Sequence, residues 1–156
     1  MPGIVNISEA ASIAIHAMVL IAANPGRILP AGEIASFFGL SSTHLAKVMQ
    51  RLVKAGLAVS TRGPAGGFKL GRPSRNIALL EIYETIEGPL LDGGCLLGRE
   101  KCLGSRCILG DMIKKVNKEA RQTLTDRTLA DLTASFLSRA PRTSPTEGLV
   151  MGHPAT

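Results

Sequence analysis

Aromatic residues make up only 3% of this 156-residue chain, so its core must be filled by aliphatic side chains. Hydrophobic residues reach 45%, mostly Leu, Ile, Val, Ala and Met, which is enough for one domain of ordinary size. Long apolar runs are missing as well. The longest, Ile13 to Ala23, is interrupted by His16 and falls short of the roughly 20 residues a membrane span needs. Residues 1–12 contain no Lys or Arg, which argues against a secretory leader. Together these absences predict a cytoplasmic protein with no membrane partner. Cysteine is scarce: there are three. In a reducing compartment they are metal ligands or reactive thiols rather than a disulfide framework. There is no glycine loop after a strand to cradle a substrate and no histidine–acid pairing, so no enzyme activity and no small-molecule substrate are expected. No internal repeat is present.

Acidic residues are absent from one long interval. Between Glu33 and Glu81 there is none, while Lys47, Arg51, Lys54, Arg62, Lys69, Arg72 and Arg75 all fall there. The whole chain carries a net +6, so the rest of it is close to neutral. A block of one sign inside a folded region makes a patch that attracts polyanions, since a merely solvated face mixes its signs.

Apolar spacing predicts mainly helical structure. Residues 7–23 read as a first helix capped by Ser8, with Glu9 at its positive end and Ile13, Ala17, Leu20 and Ile21 on one face. Asn24-Pro25-Gly26 ends it. Pro30 and Glu33 open a short second helix that buries Ile34, Phe37 and Phe38 and closes at Gly39. A third helix begins at Ser41 or Ser42 and stops at Gly56. Leu45, Val48, Met49, Leu52 and Val53 form its apolar stripe, and Thr43, His44, Lys47, Gln50, Arg51 and Lys54 lie opposite. Two strand-like runs follow, holding Val59 and then Phe68 and Leu70. They are joined by Arg62-Gly63-Pro64-Ala65-Gly66-Gly67, which can continue neither strand.

Two helices, a tight turn and a glycine-tipped hairpin make the plan of a winged helix-turn-helix. In that plan the start of the second helix enters the major groove of DNA. Ser41, Ser42, Thr43 and His44 stand there, with Lys47 and Arg51 positioned to reach bases or phosphates. Arg62 and Gly63 at the wing tip, and Lys69 on its second strand, complete the candidate interface with double-stranded DNA. Beyond the wing, residues 76–87 read as a fourth helix capped by Asn76. Either Ile77, Leu80, Tyr83 and Ile86 or Leu79, Ile82 and Ile86 face inward. Gly88-Pro89 breaks it. A long helix starts near Ile108, with Leu109, Met112, Ile113, Val116, Ala120 and Leu124 as one continuous stripe. That is too long for its own domain to cover, so it is expected to pair with its twin in a homodimer. Thr125 to Leu137 extends it by a further turn or two, and residues 138–156, rich in Pro and Gly, read as a disordered tail.

The cysteines lie between these parts. Cys95, Cys102 and Cys107 have the spacing C-x6-C-x4-C in a glycine-rich loop over 88–107. Three thiolates within thirteen residues repel one another unless a cation sits among them, and Arg99, Lys101 and Arg106 put positive charge nearby. Soft sulfur ligands suit an iron–sulfur cluster or zinc. Zinc sites more often show closer cysteine pairs and a clear fourth ligand, and no histidine lies in the loop. Three free thiols acting as a redox switch are the alternative.

The run Arg51-Leu-Val-Lys-Ala-Gly-Leu-Ala-Val-Ser-Thr-Arg-Gly-Pro-Ala-Gly-Gly-Phe-Lys-Leu70, a helix ending Ile86-Glu-Gly-Pro89, the cysteine triplet and the long helix resemble the Rrf-type bacterial transcription regulators, which include IscR and NsrR. The likeness spans residues 7–137. It implies a mainly α fold with a small β-hairpin wing: a winged helix-turn-helix over 1–87, a cluster loop over 88–107 and a dimerisation helix region over 108–137. It also implies a homodimer on a near-palindromic operator, acting as a repressor that senses redox state, nitric oxide or iron status. Cys95, Cys102 and Cys107 match the ligands of a 2Fe–2S or 4Fe–4S cluster, with the middle cysteine displaced by one position. Some members take a fourth ligand three residues past the third cysteine, where this chain has Gly110. Others take it from the first helix, where His16 fits the register best and Glu9 comes second; Ser12 stands where some members have an acid. The alternative within the same class is a cluster-free, thiol-based redox-responsive regulator.

Overall fold

The structure, a computed structural model, describes residues 7–91 and 107–139. Ser8 opens α1 (Glu9–Ala23), its hydroxyl oxygen accepting the Ala11 amide at 3.1 Å. That satisfies one of the orphan N–H groups of the first turn. Eight of the fifteen residues of α1 are buried. It is therefore a central post rather than a one-sided surface helix, and α3 (Ser42–Lys54), β2 (Gly67–Leu70), α4 (Leu79–Glu87) and α6 (Leu129–Arg139) pack around it.

Pro30 leads into α2 (Ala31–Phe38), and Gly39, at φ 63°, ends it. Phe37, expected inside, is 36% exposed and stands edge-on to Phe38 with ring centroids 4.8 Å apart. A helix of two turns has room for one buried stripe, and Ile34 and Ala35 occupy it. α3 (Ser42–Lys54) buries Leu45, Val48, Met49 and Leu52 at helical spacing. Its end is a Schellman turn. The Leu57 amide donates to the Leu52 carbonyl and the Gly56 amide to Val53, both at 3.0 Å, with Gly56 at φ 74°. A left-handed residue there favours glycine, and Leu57 and Leu52 are both buried beside it.

The chain turns directly into β1 (Ala58–Thr61), which pairs antiparallel with β2 (Gly67–Leu70) in the register Ala58↔Leu70 to Thr61↔Gly67. Leu29 adds a one-residue third rung, exchanging backbone bonds with Phe68 at 2.9 and 2.8 Å. The approach is so close that a Cβ on Gly67 would stand 2.2 Å from the Leu29 carbonyl oxygen, so only glycine fits.

Two elements differ from expectation. The fourth helix does not begin at Asn76. Ser74–Asn76 form a single 3-10 turn, Ile77 is extended, and α4 runs Leu79–Glu87. The backbone of 77–79 is used elsewhere: Leu79 N–H donates to Arg127 O at 3.0 Å and Leu129 N–H to Ile77 O at 2.8 Å. Glu81 then accepts the Ala78 amide at 3.0 Å, which starts α4. Leu79, Ile82 and Ile86 form its buried face.

The same two bonds break the long helix. α5 is Ile108–Asp126, Arg127 is extended, and α6 (Leu129–Arg139) is a separate helix rather than a continuation. α6 returns to α1, and Leu129 becomes fully buried. Its start is a Thr128–Asp131 cap: Asp131 Oδ2 accepts from the Thr128 amide and hydroxyl, both at 2.8 Å, and Thr128 Oγ1 accepts the Asp131 amide at 3.3 Å. These bonds hold the Asp131 carboxyl below its ordinary pKa, the Thr128 amide being the main cause, then the Thr128 hydroxyl, with Arg127 adding to them. The largest fully buried side chains are all Met, Leu or Ile, as the shortage of aromatics requires. The architecture is a mainly helical domain with a two-stranded wing. The tail beyond residue 139 lies outside the described residues.

Candidate nucleic-acid interface and cysteine segment

The buried stripe of α3 fixes which way its other face points. Ser41, Ser42, Thr43, Lys47, Gln50, Arg51 and Lys54 are exposed, and His44 is half-buried. Ser41 occupies the N-cap position, yet its hydroxyl makes no capping bond. Ser41, Ser42 and Thr43 stand exposed at the positive end of a thirteen-residue helix, where phosphate groups are favoured.

The wing continues this face. Arg62 and Gly63 sit at the exposed tip, where the Gly66 amide donates to the Gly63 carbonyl at 2.9 Å and Gly63 has φ 108°. Lys69 is exposed on β2, opposite Val59, which is 41% exposed. α3 runs into β1 through the Schellman turn alone, which sets the direction in which the wing leaves the helix.

The charge pattern is sharper in space than in sequence. Arg72 is paired with Glu81, which subtracts it from the seven-cation interval. Among the described residues, Lys47, Arg51, Lys54, Arg62 and Lys69 make no salt bridge. Outside the interval, Arg27 is bound bidentately by Glu33 at 2.7 and 2.8 Å. One acid does approach the candidate face: Glu9 Oε1 lies 3.9 Å from His44 Nδ1, too far for a hydrogen bond.

Of the candidate ligands, Cys95 and Cys102 lie outside the described residues, and Cys107 lies within them. Cys107 is the N-cap of α5, half-buried, and its Sγ accepts the Gly110 amide at 3.3 Å. His16 is exposed on α1, edge-on to Phe38 with centroids 5.7 Å apart. Its Nδ1 is 2.7 Å from the Ser12 carbonyl oxygen. A carbonyl only accepts, so Nδ1 carries the proton, and in the neutral ring Nε2 keeps its lone pair. Metal-binding histidines use this tautomer when they ligate through Nε2. Among the described residues no cluster of three or more His, Cys, Asp or Glu is gathered.

One contribution has no signal in the sequence, and another has one that apolar spacing passes over. Leu29 braces the wing at Phe68 from thirty-nine residues upstream, and a single strand residue has no period to detect. Thr128-x-x-Asp131 is the pattern of a helix cap, and it marks where α6 begins.

A winged helix-turn-helix whose exposed α3–wing face carries cations without acidic partners among the described residues is the architecture of a DNA-binding regulator. The comparisons narrow the class. The Rrf2 profile, described as an iron-dependent transcriptional regulator, matches residues 7–135. IscR of Sodalis glossinidius, named as an HTH-type transcriptional regulator, is 32% identical over 124 residues, covering 78% of this chain and 74% of its own. BadM of Rhodopseudomonas palustris, also named as an HTH-type regulator, is 41% identical over 78 residues, so this chain spans half of BadM's length. Among solved structures, T. potens IscR superposes with a TM-score of 0.72 at 26% identity, covering 90% of this chain and 94% of the other. CymR, called the global cysteine regulator of B. subtilis, gives the same TM-score at 24% identity, covering 85% and 98%, a likeness of fold alone. The chain belongs to the Rrf2 family of transcription regulators.

Proposed function

We propose that this chain acts as a homodimer that binds a near-palindromic DNA operator and represses transcription, with an iron–sulfur cluster at Cys95, Cys102 and Cys107 setting its operator affinity. The observation that carries the DNA half is the α3–wing face, where Ser41, Ser42, Thr43, Lys47, Arg51, Arg62 and Lys69 are exposed and, among the described residues, the cations lack acidic partners. Ser42, Thr43 and His44 read base edges. Lys47, Arg51 and Lys69 hold phosphates. Arg62, beside Gly63, enters the minor groove.

The sensing half rests on donor chemistry. Three thiols in thirteen residues suit a soft metal centre, and the one that is described, Cys107, offers its sulfur at a helix N-terminus. His16, with Nε2 left free by the Ser12 bond, suits the fourth position. When bound, such a cluster supplies a redox- and nitric-oxide-labile centre that also reports iron supply. The chain's own part is connection: the cysteine segment joins the end of α4, in the DNA-binding half, to the start of α5. The apolar stripe of α5 supports the dimer, since Leu109 is 51% and Met112 38% exposed. A groove of about 610 Å3 also runs along Tyr83, Leu90, Ile113, Val116, Ala120 and Leu124. Two copies must place their α3 helices about 34–36 Å apart to fit successive half-sites. A change at the α4–α5 junction alters that spacing.

A cluster-free thiol switch is the second reading, favoured by the free Cys107 thiol. The visible spectrum of anaerobically purified protein, with iron and acid-labile sulfide counted per chain, separates the two. Brown protein containing both supports the cluster. Colourless protein moves the assignment to zinc or to the thiols and leaves the DNA-binding reading in place.

A further inference from the structure

Residues 7–91 contain five acids: Glu9, Glu33, Glu81, Glu84 and Glu87. Four of them are engaged. Glu33 binds Arg27 bidentately, and Glu81 pairs with Arg72. Glu84 Oε1 accepts the Leu90 amide at 2.9 Å, and Glu87 accepts the hydroxyl of Ser8. Glu9 is the exception. It makes no hydrogen bond among the described residues, and its side chain is 75% exposed.

The needs of α1 do not explain it. An acid in a first turn complements the positive end of its helix, but Ser8 already caps α1 at Ala11. The group that Glu9 approaches belongs to another helix: its Oε1 lies 3.9 Å from His44 Nδ1. His44 is in the first turn of α3, the end proposed to read bases, and its side chain is 38% exposed, about half as open as that of Glu9. A carboxylate thus stands at the reading end of a face whose own sequence, residues 34–80, holds no acid.

This charge acts differently on two kinds of DNA. Binding to arbitrary sequence is held by phosphates, and an anion close to them opposes it. In the major groove of an operator the same carboxylate meets base edges, where carboxylates accept from the N4 amino group of cytosine. Specificity is the difference between the two affinities, so a repulsive element raises it as surely as an attractive one. We infer that Glu9 is a specificity-determining residue of the DNA-reading face: it opposes binding by phosphate contacts alone and, in the operator, accepts from the amino group of a cytosine beside His44. This rests on the DNA-binding function proposed above.

The test compares wild type, Glu9→Ala and Glu9→Gln, each as the whole chain purified anaerobically. One probe is a duplex selected by the wild-type protein from random-sequence DNA. The other is a duplex of the same length and composition in scrambled order. Both variants should bind the scrambled duplex about two- to fivefold more tightly at moderate salt, the effect of removing one charge near a few screened phosphates. Glu9→Ala should bind the selected duplex more weakly, so that its ratio of selected to scrambled affinity falls at least about fivefold, the smaller end of the cost of a lost base contact. Glu9→Gln keeps an oxygen that accepts from cytosine, and its ratio falls less. Selection repeated with Glu9→Ala should return the same half-site with one cytosine position relaxed. A Glu9→Ala protein that keeps the wild-type ratio, or every base preference of the wild type, overturns the inference and leaves the DNA-binding function standing. So does one whose iron content departs from wild type, which would make Glu9 a ligand. Wild-type protein that binds the two duplexes equally overturns the DNA-binding function and the inference with it.

Discussion

α3 and α5 carry the same sequence signature and meet different fates. Each has an apolar stripe at helical spacing with charged residues opposite. In α3 the stripe is buried by the chain itself, against α1, α2 and α4. In α5 no large apolar side chain is buried among the described ones, and Leu109 and Met112 stand open. A stripe therefore says that a helix will be covered, not by what. Where the chain supplies the cover, the helix becomes a support for the proposed DNA-reading face. Where it does not, we propose that a second copy covers it.

Truncation should separate the two helices most clearly. Leu52→Ala, at a fully buried position in α3, should cost about 2–5 kcal/mol. Met112→Ala in α5 should cost well under about 1 kcal/mol once the protein is held at a concentration where it is already monomeric. Denaturant titration of both checks this, and equal losses would erase the contrast. The next effect is on assembly. Leu109→Glu combined with Met112→Glu should shift sedimentation from dimer to monomer while leaving helical content in place; a persistent dimer would mean that another surface holds it.

A smaller effect separates reading from sensing. Arg62→Ala should weaken duplex binding by about 1–3 kcal/mol if it meets bases. If it meets phosphate, the salt dependence of binding should lessen by about 0.9 in log–log slope. Either way the iron content should not change. Cys102→Ala should do the opposite, emptying the protein of iron while the dimer persists, and a reversed pattern would mean the two functions have been exchanged. The smallest effect concerns pH. Asp131 has a lowered pKa in the folded state, so its contribution to stability is complete above the ordinary Asp value of about 3.9. That contribution disappears as pH falls through the lowered value. Asp131→Asn should flatten this part of the acid unfolding curve, and an unchanged curve would show that the Thr128 cap does not depend on charge.

Much of this was legible because the signals are local. The Ser8 cap, the Gly39 and Gly56 stops, the α3 stripe and the glycine-tipped wing are each written within a few residues. What escaped is long-range. α4 begins at Leu79, later than a cap at Asn76 implies, because the backbone of Ile77–Leu79 is claimed by Arg127 and Leu129, about fifty residues away. For the same reason the long helix stops at Asp126 instead of continuing through Leu137, and Thr128-x-x-Asp131 announces the new beginning. The pattern of the second helix places Phe37 in the core with Ile34 and Phe38, but a two-turn helix has no second inner face to offer it. In the candidate site, exposure of the cations followed from the stripe. The pairing of Arg72 with Glu81 did not, because they meet only after the chain has turned out of the wing.

The measurement that bears most directly on the account is the affinity of one selected duplex for anaerobic, cluster-loaded protein and for the same preparation after the cluster is stripped, at a single salt concentration. The account predicts at least a fivefold difference between the two forms, the lower end of ordinary allosteric coupling. Equal affinities would contradict it and would leave a DNA-binding protein whose cysteines serve some other purpose.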